Sequence, residues 1–242
     1  MLKVFAAALC CVMLGIFPAS AQLAVDRLWV DFEPGAVNRA DVQIRNESTD
    51  RYYISVTSAE IIAPGSPAEK RVENSDPEKL GLLVTPNRLI VDPGGVRSIR
   101  IVSLNTDLTK DRVYRIKVSP QIGDLTTADP SKDDRGMSIK LLAAYDLLVT
   151  VRPADGKANL VATRTPTMVT ITNQGNSNAL LFEGAACLPD KEVGATEAKC
   201  EKIGSRRMYP GAVWDIPISH QDVRLKFKER LASSSLPKEV AF

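Results

Sequence analysis

Between residues 139 and 151 an apolar side chain recurs at every second position: Ile139, Leu141, Ala143, Tyr145, Leu147, Val149 and Val151. The positions between them, Lys140, Leu142, Ala144, Asp146, Leu148, Thr150 and Arg152, are mixed. A period of two is the signature of a β-strand. Seven same-side positions make this one long, because strands average about five or six residues. Two readings of it stand. Either its apolar side faces the core of its own sandwich, or the strand lends side chains to another protein by strand addition.

The rest of the chain repeats the style in shorter runs. Leu23–Val30, Ala40–Arg45, Tyr52–Ile62, Leu82–Thr85, Val96–Leu104 and Val113–Val118 precede the long strand. Asn159–Ala162, Thr167–Thr172, Ala179–Cys187, Val213–Ile218 and Val223–Phe227 follow it. Short β-rich runs between turn residues predict an all-β protein built of sandwiches. The charged stretch Glu69–Leu80 has room for a helical turn but reads as a surface loop. Proline and glycine in Arg152-Pro153-Ala154-Asp155-Gly156 mark a domain boundary. An internal echo favours two similar units. "VQIRNESTDRYYISV" and "VTITNQGNSNALLF" both read strand, Asn-led turn, strand, while "VDPGGVRSIRI" and "MYPGAVWDIPI" both read Pro-Gly turn, strand. The polar segment Gly123 to Gly136 leads into the long strand, and loops of that length are commonly functional.

The first 21 residues read as a secretory signal peptide: Lys3, an apolar run from Val4 to Phe17, and Ala19-Ser20-Ala21 before Gln22. Pro18 ends the apolar run well short of the ~20 residues of a membrane span. The expected organisation is therefore signal 1–21, a first sandwich 22–152 and a second 153–242. The chain has 31 basic and 29 acidic residues, and loss of Lys3 leaves a net charge of +1. That balance offers no clustered basic surface for nucleic acid. Cys10 and Cys11 leave with the signal, so Cys187 and Cys200 remain. In an oxidising compartment they most simply form a disulfide, whereas a metal site needs more ligands nearby.

Little in the sequence supports catalysis. His220, in the polar "SHQD" turn, is the single histidine; it is the one candidate base for a nucleophile system and reads as a solvated loop residue, and one imidazole is too few for an imidazole metal site. "DPGG" and "NQGNSN" lack the lysine of a phosphate loop. "DPSKDD" lacks the glycine and glutamate of a calcium loop. The expectation is a binding protein with no cofactor.

The blocks "GLLVTPNRLIVDPGGVRSIRI" (81–101), "VYRIKV" (113–118), "YDLLVTVRP" (145–153) and "TNQGNSNALLFEGAAC" (172–187), followed by a second cysteine and "MYPG", resemble the periplasmic pilus chaperones of the PapD-like superfamily. The chain is most similar to those of the alpha-fimbrial, colonisation-factor type. The resemblance implies two immunoglobulin-like β-sandwich domains and a non-enzymatic role in the periplasm. It implies pilus subunits and an outer-membrane usher as partners. Ile139, Leu141, Ala143 and Tyr145 would then be the donor side chains that complete the unfinished sandwich of a pilin. Such chaperones also hold the C-terminal carboxylate of the pilin with an arginine and a lysine in the interdomain cleft. Here those slots fall on Trp29 and Leu148, which points to Arg27, with Arg115, as the anchor. Arg152 corresponds to the linker arginine that fixes the interdomain angle, with Asp111 and Asp222 as candidate partners. The Cys187–Cys200 link would staple the second domain. The competing reading is a secreted or surface structural sandwich protein, such as a pilus subunit or adhesin.

Overall fold

The computed structural model describes residues 23–121, 142–188 and 200–242. The expected signal peptide, Ile139, Leu141 and the polar segment before them lie outside the described residues.

The first sandwich contains β1 (Leu23–Val25), β2 (Trp29–Phe32), β3 (Arg39–Asn46), β4 (Tyr52–Ile62), β5 (Lys70–Glu73), helix α1 (Pro77–Leu80), β6 (Leu82–Thr85), β7 (Arg88–Val91), β8 (Val96–Ser103), β9 (Arg112–Gln121) and β10 (Tyr145–Val151). One sheet has the order β1-β3-β8-β6; the other runs β2-β10-β9-β4-β5, with β7 also paired to β4. Alternation decides which side chains meet between the sheets: Val42 and Ile44 from β3, Ile99 and Ile101 from β8, Ile54 from β4, Ile116 from β9, and Leu147 and Val149 from β10. All are buried.

The second sandwich contains β11 (Leu160–Arg164), β12 (Met168–Asn173), β13 (Ala179–Cys187), β14 (Cys200–Ile203), β15 (Arg206–Met208), β16 (Val213–Pro217), β17 (Arg224–Arg230) and β18 (Lys238–Ala241). Its sheets are β11-β12-β16 and β14-β13-β17-β18, with β15 also paired to β13. Val169, Ile171, Leu181, Met208, Leu225 and Phe227 form its separate core. Cys187 and Cys200 face each other across β13 and β14 and are joined by a disulfide, with Cα atoms 4.1 Å apart.

Two local expectations change. Glu69–Leu80 is not simply a loop: it holds β5 and the short helix α1. Asp76 caps the helix by accepting from the Glu78 N–H at 3.0 Å, Pro77 opens it, and Gly81 closes it with φ of 78°. Leu23–Val30 is two strands in different sheets. They are parted by a bend at Asp26 to Leu28, where Asp26 Oδ1 accepts from the Gln43 N–H at 2.9 Å.

The internal echo has a structural cause. Asn46 Nδ2 donates to the carbonyls of Asp50 (2.6 Å) and Val91 (3.0 Å). Asn173 Nδ2 donates to those of Ser177 (2.8 Å) and Met208 (2.9 Å). Val91 and Met208 each precede a Pro-Gly turn, so one buried asparagine ties two turns together in each sandwich.

Candidate functional site: the root of β10 and the interdomain cleft

Strand β10 pairs along its whole length with β9, antiparallel. On its other edge β2 runs parallel to it but covers only Leu148–Val151. Tyr145–Leu147 therefore have a strand partner on one side only among the described residues. Unpaired strand edges invite another chain, and proteins normally blunt or cover them. In the sequence, the alternating apolar segment stands directly upstream of this stretch.

The odd-numbered side chains divide along the strand. Leu147, Val149 and Val151 enter the first core. Tyr145 is half-buried against it, and its hydroxyl donates to the Leu23 carbonyl. Ala143 is exposed ahead of the strand. The core reading of the long apolar side thus holds for residues 147 to 151.

The even-numbered face meets the second sandwich. Leu148 and Thr150 are buried. Leu148 is the register partner of Trp29 on β2 and of Arg115 on β9, so these side chains share one row across the sheet. Leu148 packs with Ile61, Val113 and Tyr209, and Trp29 and Ala212 pack against that cluster. Tyr209 and Ala212 come from the second sandwich, in the turn after β15, so the cleft floor is an apolar seam. The Arg207 guanidinium lies over the Trp29 ring, 4.2 Å from its centroid. Burial depresses the Arg207 pKa and raises that of Tyr209.

The two expected anchor residues sit differently. Arg115, partly exposed, points to the Leu148 row, with Nη1 3.4 Å from the Asp146 carbonyl and Nε 4.0 Å from its carboxylate. Arg27 lies in the bend between β1 and β2, where Nε and Nη2 donate to Asp26 Oδ2 at 3.0 and 2.9 Å. The two arginines therefore belong to separate local networks.

Arg152 is the centre of a buried cluster. Its Nε donates to both oxygens of Asp31 at 2.9 and 3.1 Å. Nη1 donates to Ser177 Oγ at 2.6 Å and to the Asn178 carbonyl at 3.2 Å, and Nη2 donates to the Leu231 carbonyl. Asp111 stands 4.0 Å away and accepts from Ser177 Oγ (2.8 Å) and the Asn178 N–H (2.6 Å). Asp31 also accepts from the Ser233 N–H at 3.0 Å, and burial pushes its carboxyl pKa up against the pull of Arg152. The cluster draws on β2, the end of β10, the β12–β13 turn and the segment after β17, so it spans both sandwiches. Asp222 takes no part; its carboxylate lies 3.2 Å from His220 Nδ1. Sequence reasoning missed Asp31, although its place two residues after Trp29 puts both on one strand face. Arg207 and Tyr209 carried no signal beyond their position beside a Pro-Gly turn.

Comparison with known proteins agrees with this architecture. No family model matches the chain. Among solved structures, the class 5 fimbriae chaperone CfaA has a TM-score of 0.67 at 19% identity, covering 91% of this chain and 97% of its own. A chain of a chaperone–tip adhesin complex of CFA/I fimbriae biogenesis has a TM-score of 0.63 at 20% identity, covering 92% and 98%. The chain therefore has the two-domain β-sandwich fold of the fimbrial chaperones. By sequence it is similar to a CS1 fimbrial subunit of Escherichia coli, with 29% identity over 180 residues, 72% of each chain. It is also similar to a CFA/I fimbrial subunit of Escherichia coli, with 24% identity over 208 residues, 84% of this chain and 83% of that one. No helix among the described residues is long and apolar enough to cross a membrane.

Proposed function

We propose that this protein is a non-enzymatic periplasmic chaperone of fimbrial subunits. It caps them through donor-strand complementation and passes them to an outer-membrane usher. The observation that carries the reading is β10: its root is locked between β2 and β9, while at Tyr145–Leu147 its second edge has no strand partner among the described residues, and in the sequence alternating apolar residues precede it. An incomplete sandwich exposes both core and edge, and such a strand supplies main-chain bonds and side chains together. Ile139, Leu141, Ala143 and Tyr145 are the proposed donors, with Tyr145 at the boundary because its hydroxyl is tied to β1. Arg27 and Arg115 are the proposed carboxylate anchors, and Arg115 has the better support, since it shares the Leu148 row. Transfer needs no nucleotide, because a better-fitting strand can displace a poorer one.

The test is a periplasmic pull-down of the tagged protein with mass spectrometry of what co-purifies. A stoichiometric partner of pilin size with the wild type, lost with Leu141→Glu while the protein stays folded, is the expected result; a charge would enter an apolar pocket unpaired. Normal capture by Leu141→Glu rejects the donor register. The names of the two Escherichia coli relatives favour a second reading, in which the protein is itself a component of the fibre. Recovery of the tagged protein in shed fibres, with no stoichiometric partner, would establish it.

A further inference from the structure

The second sandwich also reaches the first through Arg207, a contact joined to the Arg152 cluster by Asn178. Arg207, in the middle of β15, is largely buried, yet among the described residues it makes no ion pair with any carboxylate. Its Nη1 donates to Asn178 Oδ1 at 2.7 Å, and its plane covers Trp29. Asn178 is itself held by Asp111, which accepts from its N–H and its Nδ2. The guanidinium is thus aimed by a fixed amide, and its charge falls on an aromatic face. Arginine suits the place because its planar head can stack and donate at once.

Trp29 has no other polar attachment, for its buried Nε1 has no hydrogen-bond partner among the described residues. Stacking and apolar contact alone hold the ring. Its place on the strand matters, because Trp29 opposes Leu148, where β2 begins to cover β10. The Leu148 N–H donates to the Leu28 carbonyl at 2.9 Å, and the Arg152 N–H to the Phe32 carbonyl at 3.0 Å. Upstream of this point, at Tyr145–Leu147, this edge of β10 has no strand partner among the described residues; downstream it is paired and buried. Tyr209 extends the contact over Leu148, and Gly65 lies close against the Tyr209 ring, where any Cβ would crowd a ring carbon.

We infer that β15 and the turn after it act as a clamp on the root of β10, with Arg207 as a positioning residue that fixes where the open edge projects. The functional meaning rests on β10 being the donor strand, but the clamp is a property of the free protein. A strand whose root is fixed loses less freedom when its free edge is captured, which is how pre-organisation strengthens binding.

The experiment is amide hydrogen exchange on the full chain without any partner. Arg207→Ala should speed exchange at the Leu148 and Arg152 amides about tenfold, the size expected when a desolvated cation–π contact is lost. Ile171 and Leu225, in the second core, should stay at wild-type rates, and Arg207→Lys, which keeps the charge without the planar fork, should restore part of the protection. Trp29→Leu, made from the other domain, should give the same local loss if Arg207→Ala does not fold. Unchanged exchange at Leu148 and Arg152, or an equal rise across the second sandwich, overturns the clamp. Failure of the pull-down with the clamp intact counts against the chaperone reading alone.

Discussion

Replacing Arg152 by methionine is the sharpest perturbation of the interdomain junction. The side chain is 6% exposed and the Asp31 side chain 0%. Methionine keeps much of the length but removes both bonds to Asp31 and those to Ser177, Asn178 and Leu231. Asp31 is then a buried carboxylate with the Ser233 N–H as its remaining partner among the described residues. Breaking one side of a buried pair costs about 3–5 kcal/mol, most of it the desolvation of the ion left behind. For a chain of this size that is a fall of roughly 6–20 °C in midpoint. Scanning calorimetry reads it, with solution scattering to follow the interdomain angle. Adding Asp31→Asn removes the stranded charge, so the double variant should recover about 1–3 kcal/mol of the loss. A loss below about 1 kcal/mol for Arg152→Met, or a double variant that costs the sum of the two singles, would refute the reasoning.

Two further outcomes follow from buried groups. Asn173→Ala strands the Ser177 and Met208 carbonyls and should cost about 2–4 kcal/mol in the second sandwich; Asn46→Ala should do the same in the first, each visible as a lowered urea midpoint. Burial pushes the Tyr114 phenol up to about 12, against an ordinary value near 10. Its folded pKa is the higher one, so this contribution is full below about pH 10 and is lost as pH rises towards 12, about 3 kcal/mol in all. Tyr114→Phe should flatten the alkaline fall in the urea midpoint; parallel curves for both proteins would remove Tyr114 as its source.

The fold was legible because sandwich strands carry their own signal. Tyr52–Ile62 and Ala179–Cys187 are bounded in the structure as the alternation bounds them. The asparagine and Pro-Gly echo proved to be a repeated hydrogen-bonding device, since a buried amide that ties two turns needs the same short motif each time. What stayed hidden was short or non-local. Strands β14, β15 and β18 have three or four residues, too few for a period to show. Asp31 was missed because its importance lies in Arg152, 121 positions away, and in Ser233, 202 positions away. The residues nearest the cleft were legible only in part: the slot positions Trp29 and Leu148 do face each other, but Arg207 and Tyr209 above them come from the far side of the chain.

The length of the apolar strand follows from how many surfaces it must satisfy. From residue 147 onward the odd side chains fill the first core and Leu148, on the even face, packs under Tyr209 of the second sandwich, so β10 buries apolar side chains on both faces. The aliphatic Leu148 and aromatic Trp29 follow from that cover: a lysine or second arginine at their row would be desolvated beneath Tyr209 and placed beside the like charge of Arg207. The cation of the cleft floor is supplied instead from β15, spread over an aromatic ring. Cover by β2 starts only at Leu148, while the alternation of apolar residues reaches upstream from Leu147 for four more odd positions. Under the proposed function, that alternation in the sequence, next to the one-sided edge at Tyr145–Leu147, is what an incoming subunit would meet.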